Sequence, residues 1–460
     1  MLVYDTLSGK KKEIKLSEKT LRLFVCGPTV YDMPHMGHAR TYVSFDMFVK
    51  YMRKQGYKID YLQNITDIDD KIIQRANENK KTPQELAEHF EKEYYADMET
   101  LGISAVTKYL RATDHIPEII SQIQRLLEKN YAYQIDGDGI YFEVSKFADY
   151  GKLSGRTALQ AEDATSRIDE SVAKRNKGDF ALWKFSKPGE PEWESPWGPG
   201  RPGWHIEDTA ITEKYFGPQY DIHGGGRDLI FPHHEAEIAQ MEAISGKEPL
   251  VKFWMHPGFL TVSGEKMSKS LKNFITIRDA LKEYSPQNLR LFFTTKHYRS
   301  PIDYTPNGVD EARSNEKKLE DFWLNLENIL PNESPDQSKE IEKYINSFWG
   351  FLEDDFNTPR AFAELFQLIA FVYKTGSLSE QDRINITSFL KNMNAIFNVV
   401  SEDKLSVAIN IPSEILKLAD EREKMRQEKK WDKADILRRQ IEDAGYEIKD
   451  TEEGPQIRKK

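Results

Sequence analysis

Two short motifs, HMGH at His35–His38 and KMSKS at Lys266–Ser270, set the strongest limit on how this chain can fold. Each suits nucleotide chemistry and is weak alone. Together they demand a fold that closes a long excursion of chain so that both motifs face one phosphate. Two imidazoles three residues apart at a helix start can donate to a phosphate whose geometry changes. Lys266 and Lys269 follow Val262-Ser263-Gly264-Glu265, which is expected to be a mobile loop. They can track charge as it moves to a leaving group. The pairing implies attack of a carboxylate on the α-phosphate of ATP, giving an adenylate and pyrophosphate, with magnesium at the phosphates.

The hydrophobic pattern suits such a fold. LRLFVCG is an apolar run closed by Gly and Pro, and ARTYVSFDMFVKYMRKQG places Val43, Met47, Val49 and Met52 near helical spacing as far as Gly56. YKIDYLQNITD is strand-like, and DDKIIQRANENK is helical. Such alternation predicts a parallel sheet with its site at the strand C-termini, where Cys26, Thr29, His35, His38 and Thr66 fall. From about Ile120 to Arg201 the pattern changes. A helix is expected over Glu118–Lys129, then a hairpin turning at Asp136–Gly139, a polar stretch and a Trp/Pro-rich run. Alternation resumes with GWHIEDTAI, YDIHGGGRDLIF and the helix HHEAEIAQMEAI. After Tyr304 the pattern is that of an amphipathic helical bundle.

The expected fold class is therefore α/β. Residues 1–120 form the first half of a Rossmann-like catalytic domain, 121–200 a connective insertion and 201–303 the second half with the KMSKS loop. Residues 304–400 form a helical bundle and 401–460 a small C-terminal unit ending in a strand pair.

At 460 residues the chain exceeds a single core. One cysteine, Cys26, excludes an internal disulfide framework, and its place at a strand end beside a cleft marks it as a candidate ligand. No apolar run approaches the roughly 20 residues of a membrane span, and the start of the chain has no secretory signal pattern. A cytoplasmic location with no membrane partner is expected. The net charge of -10 argues against a blanket electrostatic grip on nucleic acid. A local stripe can still act, and Glu421–Gln440 carries eight Lys/Arg against five Asp/Glu.

FVCGPTVYDMPHMGHAR, NITDIDDKII, YGKLSGR, DFALWK, SPWGPGRPGWHIE, DIHGGGRDLIFPHHEAEIAQ, GEKMSKS and KHYRSPIDY together resemble the cysteinyl-tRNA synthetases, a class I family, over essentially the full length. The resemblance implies ATP-dependent charging of tRNA(Cys) with L-cysteine by a monomer. It also implies one zinc that binds the substrate thiolate. The ligand positions fall on Cys26, Asp208, His233 and Glu237, with Asp208 where the family carries a second Cys. A carboxylate preserves the formal charge of the site, and His233 and Glu237 lie one helical turn apart. His35, His38, Lys266 and Lys269 would stabilise the transition state. Gly27, Thr29, Thr66, Trp204, His223 and Asp228 would line the amino-acid pocket. Gly225 and Asp228 would join the motif histidines and lysines around ATP. His205 and His234 are expected to orient ligands, and His256 to lie near the KMSKS loop. The C-terminal unit would read the anticodon. A ligase acting on a small amine, which would lack that unit, and an inactive tRNA-binding relative are the competing readings.

Overall fold

The structure, a computed structural model, describes residues 1–15, 19–156, 173–267, 273–326, 329–331, 336–402, 413–451 and 454–459. A hairpin of β1 (Leu2–Asp5) and β2 (Lys10–Glu13) leads into β3 (Leu21–Val25), α1 (Met36–Lys54) and β4 (Ile59–Ile65). Then come α2 (Asp70–Asn79), α3 (Pro83–Thr100) and β5 (Lys108–Arg111). The hairpin strand β2, α3 and β5 are elements that sequence reading did not separate. The helix expected from Glu118 begins two residues earlier, as α4 (Ile116–Glu128), because Pro117 is accommodated in a first turn.

Four short strands follow in an antiparallel sheet: β6 (Ala132–Ile135), β7 (Gly139–Phe142), β8 (Phe180–Phe185) and β9 (Gly200–Pro202). This sheet interrupts the α/β pattern and is tied back to it at the start of α2. There Asp70 accepts from Lys184 of β8 at 2.9 Å and from Arg201 of β9. The chain returns through α5 (Ile206–Phe216), β10 (Tyr220–Gly224), α6 (Glu235–Ser245) and β11 (Val251–Met255).

Strands β11-β10-β3-β4-β5 form one all-parallel sheet. The chain moves outward from β3 to β4 and β5, then crosses to the other side of β3. Reversal of direction there opens a crevice at the carboxyl ends of β3 and β10. Cys26 follows β3 and Gly225 follows β10, so both lie at that crevice.

Alternate strand residues feed two cores. Leu23 and Val25 pack with Val43 and Phe48 of α1 on one face, while Phe24 and Cys26 pack with Ile119, Ile206 and Ile238 on the other. β10 is buried at every position, as a parallel strand covered on both faces requires.

Beyond the sheet, β12 (Leu260–Val262) and β13 (Glu265–Lys266) pair antiparallel. The stretch expected as a loop is thus a tight hairpin. Its turn residues Ser263 and Gly264 take φ of 53° and 81°, a geometry that joins paired strands in two residues. Lys266 ends β13, while Lys269 lies outside the described residues. Next are α7 (Ile277–Glu283), α8 (Pro286–Thr294) and β14 (Ile302–Tyr304), which pairs with β12. Helices α9 (Pro306–Asn325), α10 (Asp336–Glu353), α11 (Thr358–Thr375) and α12 (Glu380–Phe397) form the bundle. Phe348 meets Phe389 and Phe397 edge-to-face in its core. Two further helices, α13 (Ser413–Gln427) and α14 (Trp431–Asp443), pack with a terminal hairpin, Tyr446–Thr451 with Gly454–Lys459. No helix among the described residues is long and apolar enough to cross a membrane.

Candidate active site and metal centre

His35 caps α1 from extended backbone, φ -120° and ψ 170°, and its Nδ1 accepts from the Gly37 N–H at 3.1 Å. His38 reaches back so that its Nδ1 accepts from the His35 N–H at 3.3 Å. A ring nitrogen that accepts from a backbone N–H carries no proton, so each neutral imidazole bears its proton on Nε2. The rings stack with centroids 3.8 Å apart. Burial, then the neighbouring His35, push the His38 pKa well below the ordinary range, so the ring is held neutral. Gly37 is required for packing: a Cβ there would lie 2.9 Å from the His35 ring.

The KMSKS end of the chain reaches this cap. Met36 N–H donates to Ile275 carbonyl at 3.1 Å, Ile277 N–H to Pro34 carbonyl at 3.0 Å, and Phe274 meets the His35 ring edge-on. Met267 also lies against Gly37. The two motifs are therefore brought together, although among the KMSKS residues only Lys266 and Met267 are described.

Below the cap, donor atoms of Cys26, Asp208, His233 and Glu237 all lie within 4.8 Å of one another, and all four residues are buried. Asp208 and Glu237 come from the first turns of α5 and α6, where the helix dipole favours a carboxylate. His233 Nε2 is 3.0 Å from Asp208 Oδ2 and 3.1 Å from Glu237 Oε1, and Cys26 Sγ is 3.8 Å from Glu237 Oε1. Zinc–ligand bonds of about 2.0–2.3 Å set tetrahedral edges of roughly 3.3–3.8 Å, close to these separations. Asp208 Oδ1 is buried with no hydrogen-bond partner among the described residues. Burial, then Glu237 and Asp208, push the Cys26 thiol far up, and burial, then Asp208, do the same to Glu237. A divalent cation reverses that balance and holds thiolate and carboxylates ionised. The donor set fits such an ion.

A second overlapping set replaces Asp208 and His233 by His223 and His234, whose Nε2 atoms lie 3.3 and 3.2 Å from Cys26 Sγ. Tyr220 holds His223 Nδ1 at 2.5 Å. His234 Nδ1 meets His256 Nε2 at 2.8 Å, and His256 Nδ1 meets Thr6 at 2.8 Å. His256 is thus part of a buried imidazole chain behind the cluster. His205 orients His233 through Nδ1 atoms 2.8 Å apart. Trp204, 38% exposed, stacks on His233 with centroids 4.5 Å apart, forming an outer wall.

Thr29 and Thr66 bridge the ends of β3 and β4. Gly27 N–H donates to Asn64 Oδ1 at 2.5 Å, and a Cβ on Gly27 would collide with the Asn64 carbonyl oxygen at 1.7 Å. Thr66 is buried, and its hydroxyl donates to Glu207 Oε1. Gly225 is buried against His234, while Asp228 is exposed beside the Gly-rich turn. Sequence reading did not single out Glu207, Asn64 or Tyr220. The presence of Glu207 in WHIE was the available signal.

This switch-point crevice with a histidine-capped helix defines a class I aminoacyl-tRNA synthetase catalytic fold. Residues 12–314 match the family described as tRNA synthetases class I (C) catalytic domain, and residues 347–401 match the DALR domain. The structure is similar to Mycobacterium tuberculosis methionyl-tRNA synthetase in complex with methionyl-adenylate. The TM-score is 0.64 at 16% identity, covering 85% of this chain and 93% of that one. The sequence is 45% identical to a cysteine–tRNA ligase of Thermococcus gammatolerans across 98% of both chains. It is 45% identical to one of Methanococcus maripaludis across 97% of both. The chain belongs to the cysteine–tRNA ligase family.

Proposed function

We propose that the protein joins L-cysteine to tRNA(Cys) with ATP through a cysteinyl adenylate. The observation that carries this reading is the convergence of a buried thiol, two carboxylates and an imidazole beside Trp204, at the sheet crevice under the His35/His38 cap. Zinc would be held by Cys26, Asp208, His233 and Glu237. When bound it supplies a Lewis acid that favours a thiolate over a serine hydroxyl, a distinction that packing alone makes poorly. Trp204 and His223 wall the side-chain pocket, and Gly27, Thr29 and Thr66 face the substrate's other polar groups.

His35 and His38 donate from Nε2 to the phosphate oxygens as the cysteine carboxylate attacks the α-phosphorus, and pyrophosphate leaves. Lys266 and Lys269 follow the leaving charge, with magnesium at the phosphates. Gly225 and Asp228 meet the nucleotide. The terminal adenosine hydroxyl of the tRNA then takes the aminoacyl group. In this reading 1–120 and 201–303 are the two halves of the nucleotide fold, and 121–200 guides the acceptor end. Residues 304–400 and 401–460 read the elbow and the unstacked anticodon bases. The protein acts as a cytoplasmic monomer.

ATP–pyrophosphate exchange with cysteine and with serine, before and after chelation and alongside metal analysis, tests the reading. Cysteine-dependent exchange that chelation abolishes is the expected result. Comparable exchange with serine, or exchange that needs no metal, overturns it.

A further inference from the structure

A bound cysteine has three polar ends. In the reading above the thiol goes to the metal and the carboxylate to the α-phosphorus, while the ammonium group has only the uncharged Gly27, Thr29 and Thr66 beside it. Glu207 is a carboxylate at this site that belongs to neither donor set. It is 1% exposed and precedes Asp208 in the first turn of α5. Successive helical residues point about 100° apart, so Glu207 turns from the metal donors toward the end of β4.

There its Oε1 accepts from Thr66 Oγ1 and, at 3.4 Å, from Asn64 Nδ2. Asn64 Nδ2 also donates to Thr66 Oγ1 at 3.3 Å. The Thr66 hydroxyl has therefore given its one proton to Glu207 and taken one donor from Asn64. One lone pair remains, and it can only accept. A lone pair forced to accept, beside a buried carboxylate oxygen, suits a donor such as an ammonium group and turns away the substrate's own carboxylate.

We propose that Glu207, with Thr66, receives the α-ammonium group of the amino-acid substrate and so fixes which end of it faces the phosphates. The inference rests on the cysteine-activating reading. Glu207 binds substrate and holds no metal.

The test compares cysteine with 3-mercaptopropionate, which keeps the thiol and carboxylate and lacks the amine. Both are measured as ligands of the zinc-loaded protein, by equilibrium dissociation constant, in the unaltered protein and in Glu207→Gln and Glu207→Asp. Cysteine is expected to bind Glu207→Gln roughly ten- to a hundredfold more weakly, the range for a hydrogen bond to a charged group. The Kd of 3-mercaptopropionate and the zinc content are expected to stay within about twofold, the scatter of a contact not made. Glu207→Asp restores part of the cysteine affinity. Equal weakening of both ligands shows a structural role only and overturns the proposal, as does unchanged cysteine binding. Absence of cysteine-dependent pyrophosphate exchange in the unaltered protein overturns the activity reading and this inference with it. Exchange that persists beside an insensitive Glu207→Gln overturns the inference alone.

Discussion

The Asp208 carboxylate lies 3.0 Å from Nε2 of His233, with both side chains buried. That contact leaves Asp208 Oδ1 buried with no hydrogen-bond partner among the described residues, and Glu237 and Cys26 crowd the same space, which adds acidic groups to a desolvated pocket. A shared cation would resolve the crowding. Asp208→Ala is expected to lose metal by at least ~10-fold in affinity, comparable to the loss of a metal-orienting partner. Asp208→Cys is expected to retain metal more tightly than the unaltered protein, because a thiolate is the softer donor. Competition with a chromogenic chelator reads both. Unchanged affinity in Asp208→Ala places the aspartate outside the coordination set.

The stacked, backbone-anchored pair His35 and His38 leads to a second expectation. Losing one preorganised donor to a developing phosphate charge costs about 10²–10³ in kcat. His38→Ala and His35→Ala are each expected to show that loss in pyrophosphate exchange, with little change in the cysteine KM. The lost cap costs only about 1 kcal/mol of stability. Gly37→Ala is expected to mimic them, because its new Cβ displaces the His35 ring without removing any donor. A change in KM alone would contradict the assignment.

Much of this site was legible because its residues sit on local patterns. HMGH reads as a helix cap, and His233 and Glu237 sit one turn apart on a readable helix. Cys26 ends an apolar run. The pairing of Asp208 with His233 needs the return of the chain across β3, which no local pattern encodes, and it entered only through family resemblance. Glu207 escapes a local reading because its partners are distant in sequence, Asn64 at the end of β4 and Thr66 just beyond it, and a carboxylate beside a candidate ligand has no spacing of its own. In the fold, β2 and β5 escaped notice because four-residue strands rich in Lys and Arg lack the apolar run that marks β3. In the KMSKS approach, Ser-Gly reads as flexibility and as a two-residue turn alike, so local sequence does not separate a loop from the hairpin that forms.

Asp46 on α1 and Arg290 on α8 form an ion pair at 2.8 Å with both side chains 0% exposed. Arg290 also donates to the Phe397 carbonyl at 2.6 Å and to the Leu101 carbonyl at 3.0 Å, so it joins the sheet layer to the bundle. Asp46→Ala strands a buried guanidinium and is expected to cost about 3–5 kcal/mol in denaturant unfolding. The double change Asp46→Ala with Arg290→Met is expected to cost less than the two single changes summed, since it leaves no buried guanidinium behind, and Lys50, which also pairs with Asp46 at 2.8 Å, keeps its bond to the Gly102 carbonyl. Additive losses would mean that the pair does not couple.

His297 stands where the catalytic layer meets the start of the bundle. Its Nδ1 accepts from the Arg299 N–H at 3.3 Å, and its Nε2 lies 3.5 Å from Asp355 Oδ2. Burial is the main influence on its pKa, with Asp355 pulling the other way and Arg299 and Arg40 adding to burial. The balance lowers it from 6.5 to about 4. Between those values the unfolded chain binds the proton and the folded one does not, so stability rises with pH across that window. The contribution is complete above about 6.5 and lost once pH falls below about 4. Thermal melts from pH 7 down to pH 4.5 are therefore expected to show a falling Tm, and His297→Gln, which cannot titrate, is expected to flatten part of that slope. If the variant and the unaltered protein lose stability in parallel over this range, the proton is taken up elsewhere, and His297 is charged in the folded state.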